Sequence, residues 1–317
     1  MLLQPHRAGA VQETTHVADL DQAALQLGEH VMNIAIQTGN LLMLKEALAS
    51  DSQKMRFGSE FCMYALPSTS ALETAYTSTE DAGKDFVYVT PRLADDYMDK
   101  ILEHLSLLDD LGGTTVVVND LGTLSIMREF SALTPHLGRQ LVYTPSRCPW
   151  EEITEHPVSY FTKRKIKQIF YQTSLNYGPT LEFFKGLGVV GADVDWIPEI
   201  FNNLRSLTQK NLQVSVHLYS VPVAITRKCH MARFLGEENL DQCSRPCYTK
   251  AYSMENELLD IGMYLHGNAV FKLTDPDRKT INQLAKRGVS ELVLTMSPLS
   301  RVSSHTELDG LLQSLQA

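Results

Sequence analysis

Short apolar runs alternate with amphipathic stretches along most of the chain. Met32, Ile34, Ala35 and Ile36 read as a strand over 32–36, followed by Gly39 and Asn40 as turn and cap and by a helix over 41–49. A second strand over 55–58 leaves Cys62 just past its C-terminal end. Strands are expected again at 85–89, 114–118, 140–143, 192–196, 213–219, 270–273 and 291–295. Leu93, Tyr97, Ile101, Leu105 and Leu108, at spacings of three and four, predict a helix over 93–111. Further helices are expected at 121–130, 180–187, 201–209 and 279–287. The β-branched run at 114–118 suits a strand buried on both faces. Strands separated by helices at this spacing predict an α/β fold with a parallel sheet, most simply a TIM-type barrel.

Three segments depart from the alternation. Residues 1–30 read as a variable lead, with a helix expected near 21–29. Residues 31–317 then form one barrel domain, interrupted by an insertion at about 145–178 that holds Cys148, Pro149, Trp150 and Pro157. The third segment, 222–255, is rich in cysteine. A chain of 317 residues with 44% hydrophobic and 21% charged residues is long enough for one large barrel core.

The formal net charge of −9 works against polyphosphate partners, so nucleic acid is not the expected ligand. The run Lys163, Arg164, Lys165 and Lys167, flanked by Tyr160, Phe161, Phe170 and Tyr171, is the local exception. It reads first as a solvated helix face or a docking surface for an acidic partner. No stretch reaches the ~20 apolar residues of a membrane span, and Glu13, Asp19, Asp21 and Glu29 fall where a signal peptide would be apolar, so a cytoplasmic protein is expected. In a reducing compartment, clustered thiols point to metal or catalysis before disulfides.

The chemistry-bearing feature is that cluster. Cys229 and Cys243 are separated by thirteen residues, Cys243 and Cys247 by three. The short spacing can bring two thiolates to one centre, and the longer loop can return Cys229 to it. A cubane needs four thiolates, and Cys62, at the end of an early strand, is placed to supply the fourth because barrel strand ends converge on one face. Arg227, Lys228, Arg233 and Arg245 bracket the cysteines and would offset the negative charge of such a centre. The spacing favours an iron–sulfur cluster, with a structural zinc site and a non-metal role as the alternatives.

The run Val216-His217-Leu218-Tyr219-Ser220-Val221-Pro222-Val223-Ala224, then Arg227-Lys228-Cys229-His230-Met231-Ala232-Arg233 with Cys243 and Cys247, resembles the core of the collagenase-like peptidase U32 family. The opening 32–41 and Tyr264-Leu265-His266-Gly267-Asn268 are similar to the family as well. The resemblance is greatest to the branch that supplies the iron–sulfur subunit of oxygen-independent ubiquinone hydroxylation. It implies that Cys62, Cys229, Cys243 and Cys247 hold a [4Fe–4S] cluster. It further implies a heterodimer with a sister member of the family and a lipid-binding, sterol-carrier-like accessory protein. Other members of the family hydroxylate RNA bases, which leaves RNA modification, or a non-catalytic metal-binding scaffold, as alternative functions. The long lead and the 145–178 insertion depart from the simplest pattern of the branch. No Gly-x-Ser-x-Gly elbow or His-Glu-x-x-His motif is present to support peptidase chemistry.

The remaining candidates have plainer readings. Cys148 reads as a packing thiol. His217 and His230 could donate to a cluster sulfur or a substrate oxygen, although a satisfied structural histidine is the commoner case. Asn119 and Asp120 end a buried strand, where site residues collect in barrels, or cap the helix that begins at Leu121. Arg92, Asp95 and Asp96 read as ordinary first-turn helix residues.

Overall fold

A computed structural model describes residues 3–5, 25–27, 30–145, 159–255, 262–300, 302 and 304–316. Two short strands, β1 (Leu3–Pro5) and β2 (Leu25–Leu27), precede the first barrel strand, β3 (His30–Thr38). Units then repeat as α1 (Leu41–Leu48), β4 (Lys54–Gly58), α2 (Thr69–Asp81), β5 (Asp85–Val89), α3 (Met98–Asp110), β6 (Thr115–Val118), α4 (Leu121–Ile126) and β7 (Thr134–Leu137). Helices α5 (Tyr160–Phe170) and α6 (Gly178–Gly186) lead to β8 (Gly191–Asp195), and α7 (Phe201–Thr208) to β9 (Gln213–His217). The cysteine segment contributes β10 (Ser220–Ile225), α8 (His230–Phe234), β11 (Tyr252–Met254), β12 (Met263–His266) and β13 (Ala269–Leu273). Helix α9 (Arg278–Lys286), β14 (Glu291–Thr295) and α10 (His305–Gln316) complete the chain.

Strands β3 to β9 pair in parallel in sequence order, and β14 pairs with both β9 and β3, closing an eight-stranded parallel barrel. Helices α1, α2, α3, α6, α7 and α9 bury apolar residues in the core that this sheet forms. Ile101, Leu105 and Leu108 of α3, fully buried, are the stripe that the three-and-four spacing anticipates. Between β9 and α9 the chain adds β10 to β13, which with the N-terminal β1 form a second, antiparallel sheet in the order β1-β11-β12-β13-β10. Because this sheet is inserted after the C-terminal end of β9, it stands over the barrel face where loop residues converge.

Three expectations are corrected, and one helix is added that the pattern did not predict. The strand expected at 140–143 is a turn, and β7 lies earlier, at Thr134–Leu137. Pro135 and His136 disguise β7, while the amides of Leu141 and Val142 both donate to Gly138 O. Residues 270–273 belong to the second sheet, so β14 alone closes the barrel. At 21–29 the described residues, Leu25–Leu27, form a strand on β3 and no helix. Finally, α2 escapes the hydrophobic pattern because Thr and Ser dilute its buried face of Leu72, Ala75 and Thr79. The Ser68 hydroxyl nevertheless caps it by accepting from Ala71 N at 3.2 Å.

Gly58 turns the chain off the barrel rim toward Cys62. Its φ is +137°, and a Cβ there would lie 2.1 Å from Val89 O. Gly58→Ala should therefore destabilise the fold by about 3 kcal/mol, from strain and displacement of β5, as read from urea denaturation midpoints. An unchanged midpoint would contradict this.

Candidate metal centre and the cavity beside it

Each of the four cysteines is presented by a tight local structure. Past Gly58, the Ser59 hydroxyl donates to Cys62 O at 2.7 Å and accepts from Cys62 N at 3.3 Å, folding the chain into the single turn Met63–Ala65. Cys229 is the N-cap of α8, and its Sγ accepts from Ala232 N at 3.3 Å. Cys243 follows the turn Leu240–Gln242, and its Sγ accepts from Arg245 N at 3.4 Å, with Arg245 held in the left-handed region at φ 55°. Cys247 sits in the turn Pro246–Tyr248, where its carbonyl accepts from His266 Nε2 at 2.6 Å.

These four turns meet. Cys62, Cys229, Cys243 and Cys247 line one cavity, walled otherwise by apolar groups of Ala65, Met231, Ala232, Leu240 and Pro246. All four are free thiols. Burial pushes the Cys62 thiol up to about 11 and the Cys247 thiol up to about 12, with neighbouring cysteines adding to both shifts. Burial also raises Cys229, against the pull of the Ala232 amide. Without metal these thiols are protonated at neutral pH, so a bound metal must displace their protons. Among the described residues no three His, Cys, Asp or Glu groups close on a single point that could hold one metal ion. The donor set fits a polynuclear iron–sulfur group: four thiols surround one space, and main-chain N–H groups aim at the sulfurs of Cys229 and Cys243.

Three side chains lock the cysteine segment to the barrel. Asn268 Nδ2 donates to Phe61 O at 2.9 Å and to Thr226 O at 2.7 Å, joining the loop before Cys62 to the loop before Cys229. Arg245 Nη2 donates to Tyr64 O at 3.3 Å, and Tyr248 Oη to Gly39 O at 3.0 Å. Of the four cations expected to offset the charge of the centre, Arg245 touches this clasp. Arg227, Lys228 and Arg233 are exposed, and main-chain amides reach the sulfurs where those cations were expected.

A cleft of about 810 Å³ opens between the cysteine segment and the barrel mouth, with Cys62 and Cys247 on one wall. Its apolar surface comes from Met43, Phe61, Phe271, Met296 and Leu299, its polar floor from Gln37, Glu60 and Arg139. Arg139 Nε and Nη2 grip Glu60 at 2.7 and 2.6 Å, while Nη1 donates to Asp195 at 2.7 Å and to Ser220 O at 3.0 Å. Burial is the largest influence on Glu60 and works to raise it, but the Arg139 charge, the Arg139 hydrogen bonds and the His217 charge together hold the carboxyl below its usual value. For Asp195 burial prevails, and its carboxyl is raised to about 6. Gln37 donates to Glu60 at 3.0 Å, and its buried Oε1 has no hydrogen-bond partner among the described residues.

Deeper in the barrel, Arg56 contacts Asp193 and lies 3.3 Å from Glu291, and His217 Nε2 is 3.0 Å from Asp193. Barrel interiors are usually filled by branched apolar residues, so this buried charge is a departure. The sequence offered a faint signal for it, the alternating Asp193 and Asp195 of an otherwise apolar run. Glu60, Arg139, Gln37 and Asn268 carried none.

The other candidates resolve as structural parts. His217 belongs to the barrel network, and His230 is exposed. Asp120 caps α4, accepting from Thr123 N at 2.7 Å, and buried Asn119 donates to Thr90 O at 2.7 Å and accepts from Gln140 N at 3.0 Å. The basic run is helix α5, with Tyr160, Phe161, Arg164 and Lys165 exposed, and it contributes nothing to the cysteine cavity. Cys148 lies outside the described residues. No helix among the described residues is long and apolar enough to cross a membrane.

No family model and no curated protein matches the sequence. Solved structures with a similar course include the U32 peptidase Mk0906, at 12% identity and TM-score 0.43, covering 88% of this chain and 96% of that one. Thiamine phosphate pyrophosphorylase from Pyrococcus furiosus is 9% identical with TM-score 0.42, covering 90% and 98%. Dihydropteroate synthase from Thermus thermophilus is 13% identical with TM-score 0.40, covering 91% and 95%.

Proposed function

We propose that the chain is a [4Fe–4S] protein and a subunit of an oxygen-independent hydroxylation system acting on a ubiquinone precursor or a related aromatic ring. The observation that carries the cofactor reading is the convergence of Cys62, Cys229, Cys243 and Cys247 on one cavity from four separate turns. The sequence resemblance described above supports the choice of reaction. In that reading the chain plays a UbiV-like part, pairs with a UbiU-like sister and works with a sterol-carrier-like lipid-binding protein.

The four cysteines would hold the cluster, which when bound supplies one-electron transfer. With four protein thiolates it has no open iron for substrate, so the chain's own residues bind the ring. The cleft beside Cys62 and Cys247 offers apolar walls for that ring, and the floor of Gln37, Glu60 and Arg139 can orient a polar substituent. Asn268, Arg245 and Tyr248 keep the cysteine segment seated against this cleft.

Anaerobically reconstituted protein is expected to bind about four iron and four sulfide per chain and to absorb broadly near roughly 400 nm. Stoichiometric zinc in place of iron and sulfide would overturn the cofactor reading. Comparing quinones and modified nucleosides between wild-type and deletion strains tests the reaction. A quinone defect under anaerobic growth supports it, and a nucleoside defect alone would move the assignment to RNA modification.

A further inference from the structure

The three exposed cations that bracket Cys229 have another place. Between Glu199 and Glu237 the chain has no acidic residue, although its net charge is −9. Within that stretch Arg227, Lys228 and Arg233 lie exposed on either side of Cys229. Next to Arg233 the end of α8 leaves Phe234 53% and Leu235 41% exposed. The patch is also close to the metal centre: Arg227 shares a surface crevice with Cys62 and Cys229, and Cys229 itself is 8% exposed. A small exposed apolar pair beside exposed cations suits a brief protein–protein encounter, in which complementary charge steers approach and a modest contact area allows rapid release.

We propose that this basic rim is the docking surface for an acidic one-electron carrier protein, of the flavodoxin or ferredoxin kind, which reduces the group held by the four cysteines. The proposal rests on the cluster reading. Its step is a bare electron transfer: one electron leaves the reduced carrier and enters the oxidised cluster, and no bond is made or broken. Two features of the surface favour an acidic carrier over other partners. Of its cations, Arg227 lines the same crevice as two ligand thiols, where an electron must enter. The three cations also fall within seven residues of one another beside an exposed apolar pair, whereas a nucleic-acid strand needs an extended basic track.

The test uses reconstituted holoprotein and reduced flavodoxin as the probe, following loss of the visible absorbance by stopped flow. Arg227→Glu, Lys228→Glu and Arg233→Glu combined should lower the second-order rate at least ten-fold at low salt. Dithionite, which needs no docking site, should reduce wild type and variant alike, and both should hold the same iron. Added salt should slow the wild-type reaction with flavodoxin toward the rate of the variant. A variant reduced by flavodoxin as fast as wild type would overturn docking at this surface, as would a wild-type cluster that accepts electrons from dithionite and none from flavodoxin. Preparations that take up no iron and sulfide would instead overturn the cluster reading on which the docking rests, so the two failures are told apart by the metal content.

Discussion

Cys247→Ala is expected to abolish the absorbance near roughly 400 nm and to reduce bound iron from about four atoms per chain to a small residue. The expectation follows from position. Cys247 lies where the turn Pro246–Tyr248, the His266 contact and the Tyr248 tie to Gly39 all meet, so its thiol is held in a fixed place on the cavity wall. Cys62→Ala should have a similar effect although Cys62 is far away in sequence, because its sulfur lines the same cavity. The fifth cysteine gives the control, with Cys148→Ala retaining iron and colour. Since metal binding is coupled to the order of its site, the metal-free variant should also expose the cysteine segment to limited proteolysis while the barrel stays resistant. Retention of iron and colour by Cys247→Ala would remove it from the ligand set.

Much of the barrel was legible because parallel strands buried on both faces write continuous apolar runs, as in 114–118, and their helices write a three-and-four stripe, as in α3. The failures have local causes. In β7 a proline and a histidine occupy a strand that pairs with β8 at only two positions, so propensity pointed to the apolar run that follows it. The two sheets could not be separated from periodicity alone, since Val270 and Phe271 look the same whether the strand lies in a barrel or an antiparallel cap.

The site divides in the same way. Cysteine spacing is a local signal and carried Cys229, Cys243 and Cys247, whereas Cys62 needed the barrel geometry to join them. The basic residues around the cysteines misled, because their nearness in sequence said nothing about orientation. Arg245 turns inward to Tyr64 O while Arg227, Lys228 and Arg233 face solvent. Glu60, Arg139 and Asp195 come from three separate units, and nothing in any single stretch announces their meeting.

That meeting defines the second large effect. Arg139→Leu is expected to destabilise the protein by about 3–5 kcal/mol at pH 7.5, because it leaves Glu60 and Asp195 buried without their shared cation. The deficit should depend on pH with a definite sign. In the wild type Glu60 is depressed, so its contribution is present above its ordinary range and is lost as pH falls through its folded value. Asp195, raised to about 6, contributes in the opposite sense: its share is complete below the ordinary carboxylate range and is lost as pH rises through about 6. Removing Arg139 takes away the attraction that opposes burial at both carboxyls, so both should shift upward and bind protons more readily. At acidic pH the variant can then keep both groups neutral, and the gap to wild type narrows. Above about 6 it must ionise them in a buried site or open it, and the gap widens. Urea denaturation of both proteins from pH 5 to 8 measures this directly. A deficit that is flat across the range would mean that Arg139 acts through packing on Phe61, whose ring centre lies 5.3 Å from its guanidinium, and the charge account of the cleft floor would be wrong.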